Sequence, residues 1–144
     1  MFIPAVIFTK MHHIENSPKV LFCLAQGELF QFNLSLFSPT EFAKKNKLLR
    51  HDPLDWQVNR DRPLCFFFEW ENSAEKPLPE TLFCEENASK EIYWESFPKS
   101  IGILSQGAQK NLLQLAVQYI SYGMVDDSVI AADYDKEWVL KNLS

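Results

Sequence analysis

The stretch Glu28-Leu29-Phe30-Gln31-Phe32-Asn33-Leu34-Ser35-Leu36-Phe37-Ser38-Pro39-Thr40-Glu41 changes its period halfway along. Phe30, Phe32, Leu34 and Leu36 alternate with Gln31, Asn33 and Ser35, the period-two mark of an antiparallel strand with one face buried. Ser38 then offers an N-cap, Pro39 fills the first helical position, and Glu41 stands three residues beyond the cap, within reach of its amide. A half-buried strand handing over to a capped helix points to an α+β fold.

Upstream, Lys19 to Leu24 is a short apolar run closed by Gln26-Gly27, so residues 19 to 36 read as a β-hairpin. Met1 to Phe8 is apolar without a basic segment before it or a small-residue cleavage site after it, which reads as a strand rather than a signal peptide. Downstream, the helix is expected over Pro39 to Arg50, with Phe42, Lys45, Leu48 and Leu49 toward the sheet and Lys44, Lys47 and Arg50 in water. Residues 51 to 63, with Pro53, Pro63 and an isolated Trp56, read as a connecting loop.

Leu64-Cys65-Phe66-Phe67-Phe68-Glu69-Trp70-Glu71 is the most hydrophobic window and is expected mid-sheet. Leu82-Phe83-Cys84 and Ile92-Tyr93-Trp94, separated by a polar turn, predict a second hairpin. Ser105 to Gly123 has the strongest helical period, with Leu112, Leu113, Ala116, Tyr119 and Ile120 on one side and Gly123 as its C-terminal stop. A last short helix is expected near Lys136 to Leu143. The expected architecture is one globular domain, residues 1 to 144, with an antiparallel or mixed sheet of about five strands and two to three helices mainly on one face.

The composition suits such a domain: hydrophobic residues make up 47% and charged residues 23%, values that exclude intrinsic disorder. Twelve Phe beside 4 Trp and 4 Tyr are in excess of ordinary usage. Such side chains build cores and also dominate the centres of protein interfaces. Cys23, Cys65 and Cys84 are odd in number and unpatterned in spacing, as expected of reduced thiols in a cytoplasmic protein. No window reaches the ~18 continuous apolar residues of a membrane span.

Catalytic motifs are missing. With 4 Gly in the chain and none clustered, neither a Walker loop nor a dinucleotide fingerprint is present, and no cofactor is expected. His12-His13 and His51-Asp52 lack a third ligand at a recurrent spacing, so no metal is expected. Apolar flanks around Cys23 and Cys65 oppose thiolate formation, as does the Glu85-Glu86 pair after Cys84.

Charge is distributed unevenly. Residues 1 to 60 hold seven Lys/Arg against five Asp/Glu, whereas residues 61 to 144 hold seven against fourteen. The acids come in groups, Glu69 with Glu71, Glu85 with Glu86, and Asp126-Asp127 followed by Asp133 and Asp135, with Trp70, Tyr93, Trp94 and Tyr134 interleaved. Acid interleaved with aromatic side chains suits the grip of a basic protein and repels nucleic acid. The basic stretch Lys44-Lys45-Asn46-Lys47 reads as a solvated helix face. Glu69, Glu71, Glu85, Glu86, Trp94, Asp126 and Asp127 are therefore the candidate partner-binding residues.

In size, acidity, aromatic content and lack of catalytic motifs the chain resembles small bacterial immunity proteins. The likeness is one of composition, with no family motif matched residue by residue. It implies a non-enzymatic inhibitor that neutralises a basic toxin domain, a nuclease for example, by covering its active site. The competing expectations are a small hydrolase or transferase using an acid or a His12/His51 site, and a structural subunit or homodimer held by the aromatic strands.

Overall fold

A computed structural model describes residues 2–11, 19–51, 57–59, 62–63, 66–73 and 75–121. Its axis is β1 (Phe2–Met11), whose residues Ile3 and Ala5 to Thr9 are all buried. Along one edge β1 pairs in parallel with β7 (Phe66–Trp70), from Ala5↔Phe66 to Thr9↔Trp70. Its other edge is shared by β3 (Glu28–Asn33), opposite Phe2 to Ala5, and β2 (Lys19–Ala25), opposite Phe8 to Met11.

Both β2 and β3 run antiparallel to β1, and they are also antiparallel to each other at Leu24↔Leu29 and Ala25↔Glu28. Three strands cannot be mutually antiparallel in one flat sheet. The chain therefore leaves β1 after Phe22, turns through Gln26 and Gly27 at positive φ (53° and 76°), and returns at Phe30. The Gly27 amide donates to the Tyr93 hydroxyl at 3.2 Å, and the Leu29 amide donates to the buried Gln109 Oε1 at 2.8 Å.

The remaining strands of the main sheet are β4 (Leu49–His51), antiparallel to β7, and β10 (Tyr93–Ser96), antiparallel to β2. The order is β10-β2-β3-β1-β7-β4, a mixed six-stranded sheet, so the expected α+β class holds. Two short antiparallel pairs lie outside it: β5 (Gln57–Asn59) with β6 (Arg62–Pro63), and β8 (Thr81–Phe83) with β9 (Ser89–Glu91).

Alternation along the strands builds two cores. Ile3, Ala5, Ile7, Phe30, Phe32, Phe66, Phe68 and Trp70 face α1 (Pro39–Asn46) and the β8–β9 hairpin. Val6, Phe8, Phe22, Leu24, Leu29 and Phe67 face the other way, under Leu112, Leu113 and Ala116 of α3 (Gly107–Ser121), with α2 (Phe97–Ile103) alongside. Two of the three helices thus share one face, and α1 covers the opposite one.

Several expected boundaries move, each for a local reason. The first hairpin stops at Asn33 because the Asn33 side chain accepts from the Ser35 amide and its carbonyl from the Leu36 amide. Those bonds fold residues 34–36 into a turn and leave Leu36 exposed, where the alternation placed it with Phe30. Helix α1 starts as expected, with the Glu41 amide donating to Ser38 Oγ at 3.1 Å, but it ends at Asn46 rather than Arg50. Lys47 takes a left-handed conformation (φ 58°), the Leu48 amide returns to the Ala43 carbonyl at 2.8 Å, and the chain becomes β4. Consequently Lys45 and Leu49 are exposed while Ala43 and Asn46 are buried.

Residues 93–96 leave the second hairpin to join β2, so β8 pairs with residues 89–91 instead. Helix α2 departs from the expected elements; its local signals are Ser96 at the N-cap and Pro98 in the first turn. Trp56, Cys65, Gly123 and the helix expected over 136–143 lie outside the described residues.

Asn46 fastens α1 to β8. Its Oδ1 accepts from the Phe83 amide at 2.8 Å, and its Nδ2 donates to the Phe83 carbonyl at 3.0 Å and the Phe42 carbonyl at 3.1 Å. The side chain thus takes the place of a neighbouring strand on the outer edge of β8. Asn46→Ala orphans these groups and should lower unfolding free energy by about 2–3 kcal/mol in urea titrations. Lys47→Gly removes the left-handed penalty at a position that needs no side chain for its cap and should raise stability by about 1 kcal/mol.

Candidate functional site

The surface that stands out lies where the β8–β9 hairpin closes beneath the end of β3. The Cys84 and Glu85 amides both donate to the Ala88 carbonyl, at 2.9 and 3.3 Å, which makes a tight turn of residues 84–88. The Asn33 amide donates to the Cys84 carbonyl at 3.2 Å and pins that turn to the main sheet. Every one of these bonds uses backbone, and of the turn's side chains Glu86 and Asn87 are exposed and Glu85 half-buried.

With Leu36 and Ala88 these three residues line an open concavity of about 320 Å³. Leu36 is 64% exposed, Phe2 50% and Phe83 37%, three of the five large apolar side chains exposed among the described residues. Phe2 pairs with Asn33, whose amide reaches the Cys84 carbonyl, and Phe83 precedes Cys84, so both lie close to the turn along the backbone, although Leu36 alone of the three lines the concavity. Isolated exposed apolar residues are ordinary; Leu36 is set apart because it lines the concavity together with Glu85 and Glu86.

The local charge is acidic. Residues 80 to 95 contain five Glu and one Lys. Glu95 lies 3.9 Å from Lys99, whereas Glu80, Glu85, Glu86 and Glu91 make no ion pair among the described residues. Lys90 Nζ lies 5.4 Å from the centre of the Phe2 ring, and Lys45 Nζ lies 4.8 Å from that of Phe83.

The other candidate residues are placed elsewhere. Glu69 faces the α3 side of β7, opposite Phe8, and its Oε1 is 3.0 Å from His51 Nε2. Both side chains are about four-fifths buried, and the His51 ring packs against Phe8 and Phe67 at 5.7 and 5.6 Å between centres. Glu71 is exposed just beyond β7. Six residues of β1 separate the Phe8 level from the Phe2 level, roughly 20 Å of strand. Glu69 and Glu71 therefore form no common surface with Glu85 and Glu86.

Trp94 is half-buried against the α1-side core, and its indole N–H donates to the Pro79 carbonyl at 3.1 Å. Asp126, Asp127 and His12 lie outside the described residues. The exposed Phe2, Leu36 and Phe83 were missed as site residues. Only knowledge of where β3 ends reveals Leu36, and only the cross-sheet bond from Asn33 to Cys84 brings the hairpin turn to the end of β3.

Chemical groups elsewhere are internally engaged. His51 with Glu69 has the form of an acid–base pair. Thr9, one residue from Phe8, points to the opposite face and donates to the Trp70 carbonyl at 2.7 Å. Burial pushes the Cys23 thiol far above its ordinary pKa, which leaves it un-ionised and unreactive. Among the described residues no group of three or more His, Cys, Asp or Glu is placed to hold a metal ion, and no helix is long and apolar enough to cross a membrane. Comparison with protein-family models, with curated proteins and with solved structures finds no match to this chain.

Because Glu69 is held inside and Glu85 and Glu86 are not, their substitutions should separate. A double-mutant cycle on His51→Phe and Glu69→Leu should give a coupling of about 1 kcal/mol in urea denaturation. E85Q/E86Q should leave the unfolding midpoint unchanged or slightly raised, since it relieves repulsion between neighbouring acids.

Proposed function

We propose that this chain is a non-enzymatic protein-binding domain of the immunity or antitoxin kind, which covers a basic site on its partner with the hairpin end of its sheet. The carrying observation is the meeting of Glu85 and Glu86, which make no ion pair among the described residues, with exposed Leu36 around one concavity, while exposed Phe2 and Phe83 stand in the strands that adjoin it. Acid of this kind steers a cationic partner and opposes nucleic acid, while the apolar side chains supply area to bury. A toxin domain with a phosphate-binding active site, such as a nuclease, offers the complementary surface. The reading places the protein in the cytoplasm, where the unpaired Cys23 and Cys84 thiols remain reduced.

The site is narrower than the acidic sequence pattern suggested. Glu85 and Glu86 belong to it; Glu69 and Trp94 serve the interior, and Glu71 stands at the far end of the sheet.

Affinity capture from lysate of the source cell with the native chain and with E85Q/E86Q tests the proposal. A basic protein should be retained stoichiometrically by the native chain, and E85Q/E86Q should bind it about tenfold more weakly, chiefly through slower association. Leu36→Ala should instead speed dissociation of the same protein by about tenfold. Equal retention by all three chains, or retention of no basic protein, would sink the reading.

A further inference from the structure

Two exposed aromatic rings at the hairpin end each already carry a cation, and that cation is the chain's own. Lys90 reaches from β9 to the Phe2 ring at the start of β1, and Lys45 reaches from α1 to the Phe83 ring on β8. Carboxylates stand close in sequence to both: Glu91 beside Lys90 and Glu41 one helical turn before Lys45. Yet neither lysine makes an ion pair with any of them among the described residues. An aromatic face attracts a cation through its quadrupole, and a guanidinium stacks there better than an ammonium because it is planar and less strongly hydrated.

We infer that the exposed faces of Phe2 and Phe83 are cation subsites of the docking surface, held in the unbound chain by Lys90 and Lys45 as placeholders for guanidinium groups of a basic partner. The inference rests on the binding-surface reading above and adds the chemistry of the contact. Guanidinium groups displace the two ammonium groups from the rings, and the displaced lysines swing toward the neighbouring carboxylates or into water. Glu85 and Glu86 supply the field that brings the arginines in. The lysines thus weaken binding while they shield the rings from water and from non-specific apolar contacts.

The test uses a hexa-arginine peptide titrated into the full chain at physiological ionic strength and followed by amide NMR. Shifts should centre on Phe2, Leu36, Phe83 and residues 85–88. K45A/K90A should bind the peptide about fivefold more tightly or better, as two competing contacts are removed. K44A/K99A makes the same change in net charge without uncovering a ring and sets the purely electrostatic gain.

In an F2L/F83L background, which keeps the apolar surface but removes the quadrupoles, the advantage of K45A/K90A over K44A/K99A should vanish. If that advantage persists without the rings, or is never present, the placeholder inference is wrong while the docking surface stands. If the peptide shifts map away from the hairpin end, or no binding occurs, both readings fall together.

Discussion

β1 has no solvent-facing side between Ala5 and Thr9, and that constraint reaches every other element. A strand buried on both faces needs a layer above and a layer below. The chain supplies α1 with the β8–β9 hairpin on one face and α2 with α3 on the other. Its buried stretch also needs partners on both edges. Parallel β7 fills one edge, and the other requires two strands end to end, which forces the 23–29 excursion. The tip of that excursion cannot rely on β1 for its bonds, so Gln109 of α3 and Tyr93 of β10 provide them.

The phenylalanine excess is mostly an answer to the same constraint. Nine of the twelve Phe are buried, and Phe97 is half-buried. Phe42 is the hub of the α1-side core, stacked on Phe32 at 4.6 Å and in contact with Phe30, Phe37 and Phe68. An eight-residue helix buries little by length alone, so a single large side chain surrounded by four rings does most of the anchoring. Once the core has taken its share, only Phe2 and Phe83 of the twelve remain exposed.

What the sequence revealed and what it hid divide along a physical line. Period and capping act within a few residues, so the strand at Phe66, the turn at Gln26-Gly27, the Ser38 cap and the buried side of α3 were all legible. Non-local competition was not. Nothing within Leu49–His51 shows that β7 will recruit it, and nothing within residues 93–96 shows that β2 wins them from the hairpin. The candidate site inherits this limit. Acidic clusters were visible as residues, but the roughly 20 Å of β1 between the Phe8 and Phe2 levels, and the His51 contact that turns Glu69 inward, are properties of register.

The two ends of β1 thus carry acids of different standing. At the Phe8 end the carboxylate of Glu69 is held by an imidazole and shielded by aromatic rings, so changing it disturbs packing. At the Phe2 end the hairpin is secured by Asn46 to the Phe83 backbone and by the Asn33 amide to the Cys84 carbonyl, contacts indifferent to what side chains residues 85–87 carry. A turn fixed by its backbone and open in its side chains can change sequence at small cost to the fold. Partner recognition requires that combination, because a surface that tracks one partner must vary while the scaffold presenting it stays constant.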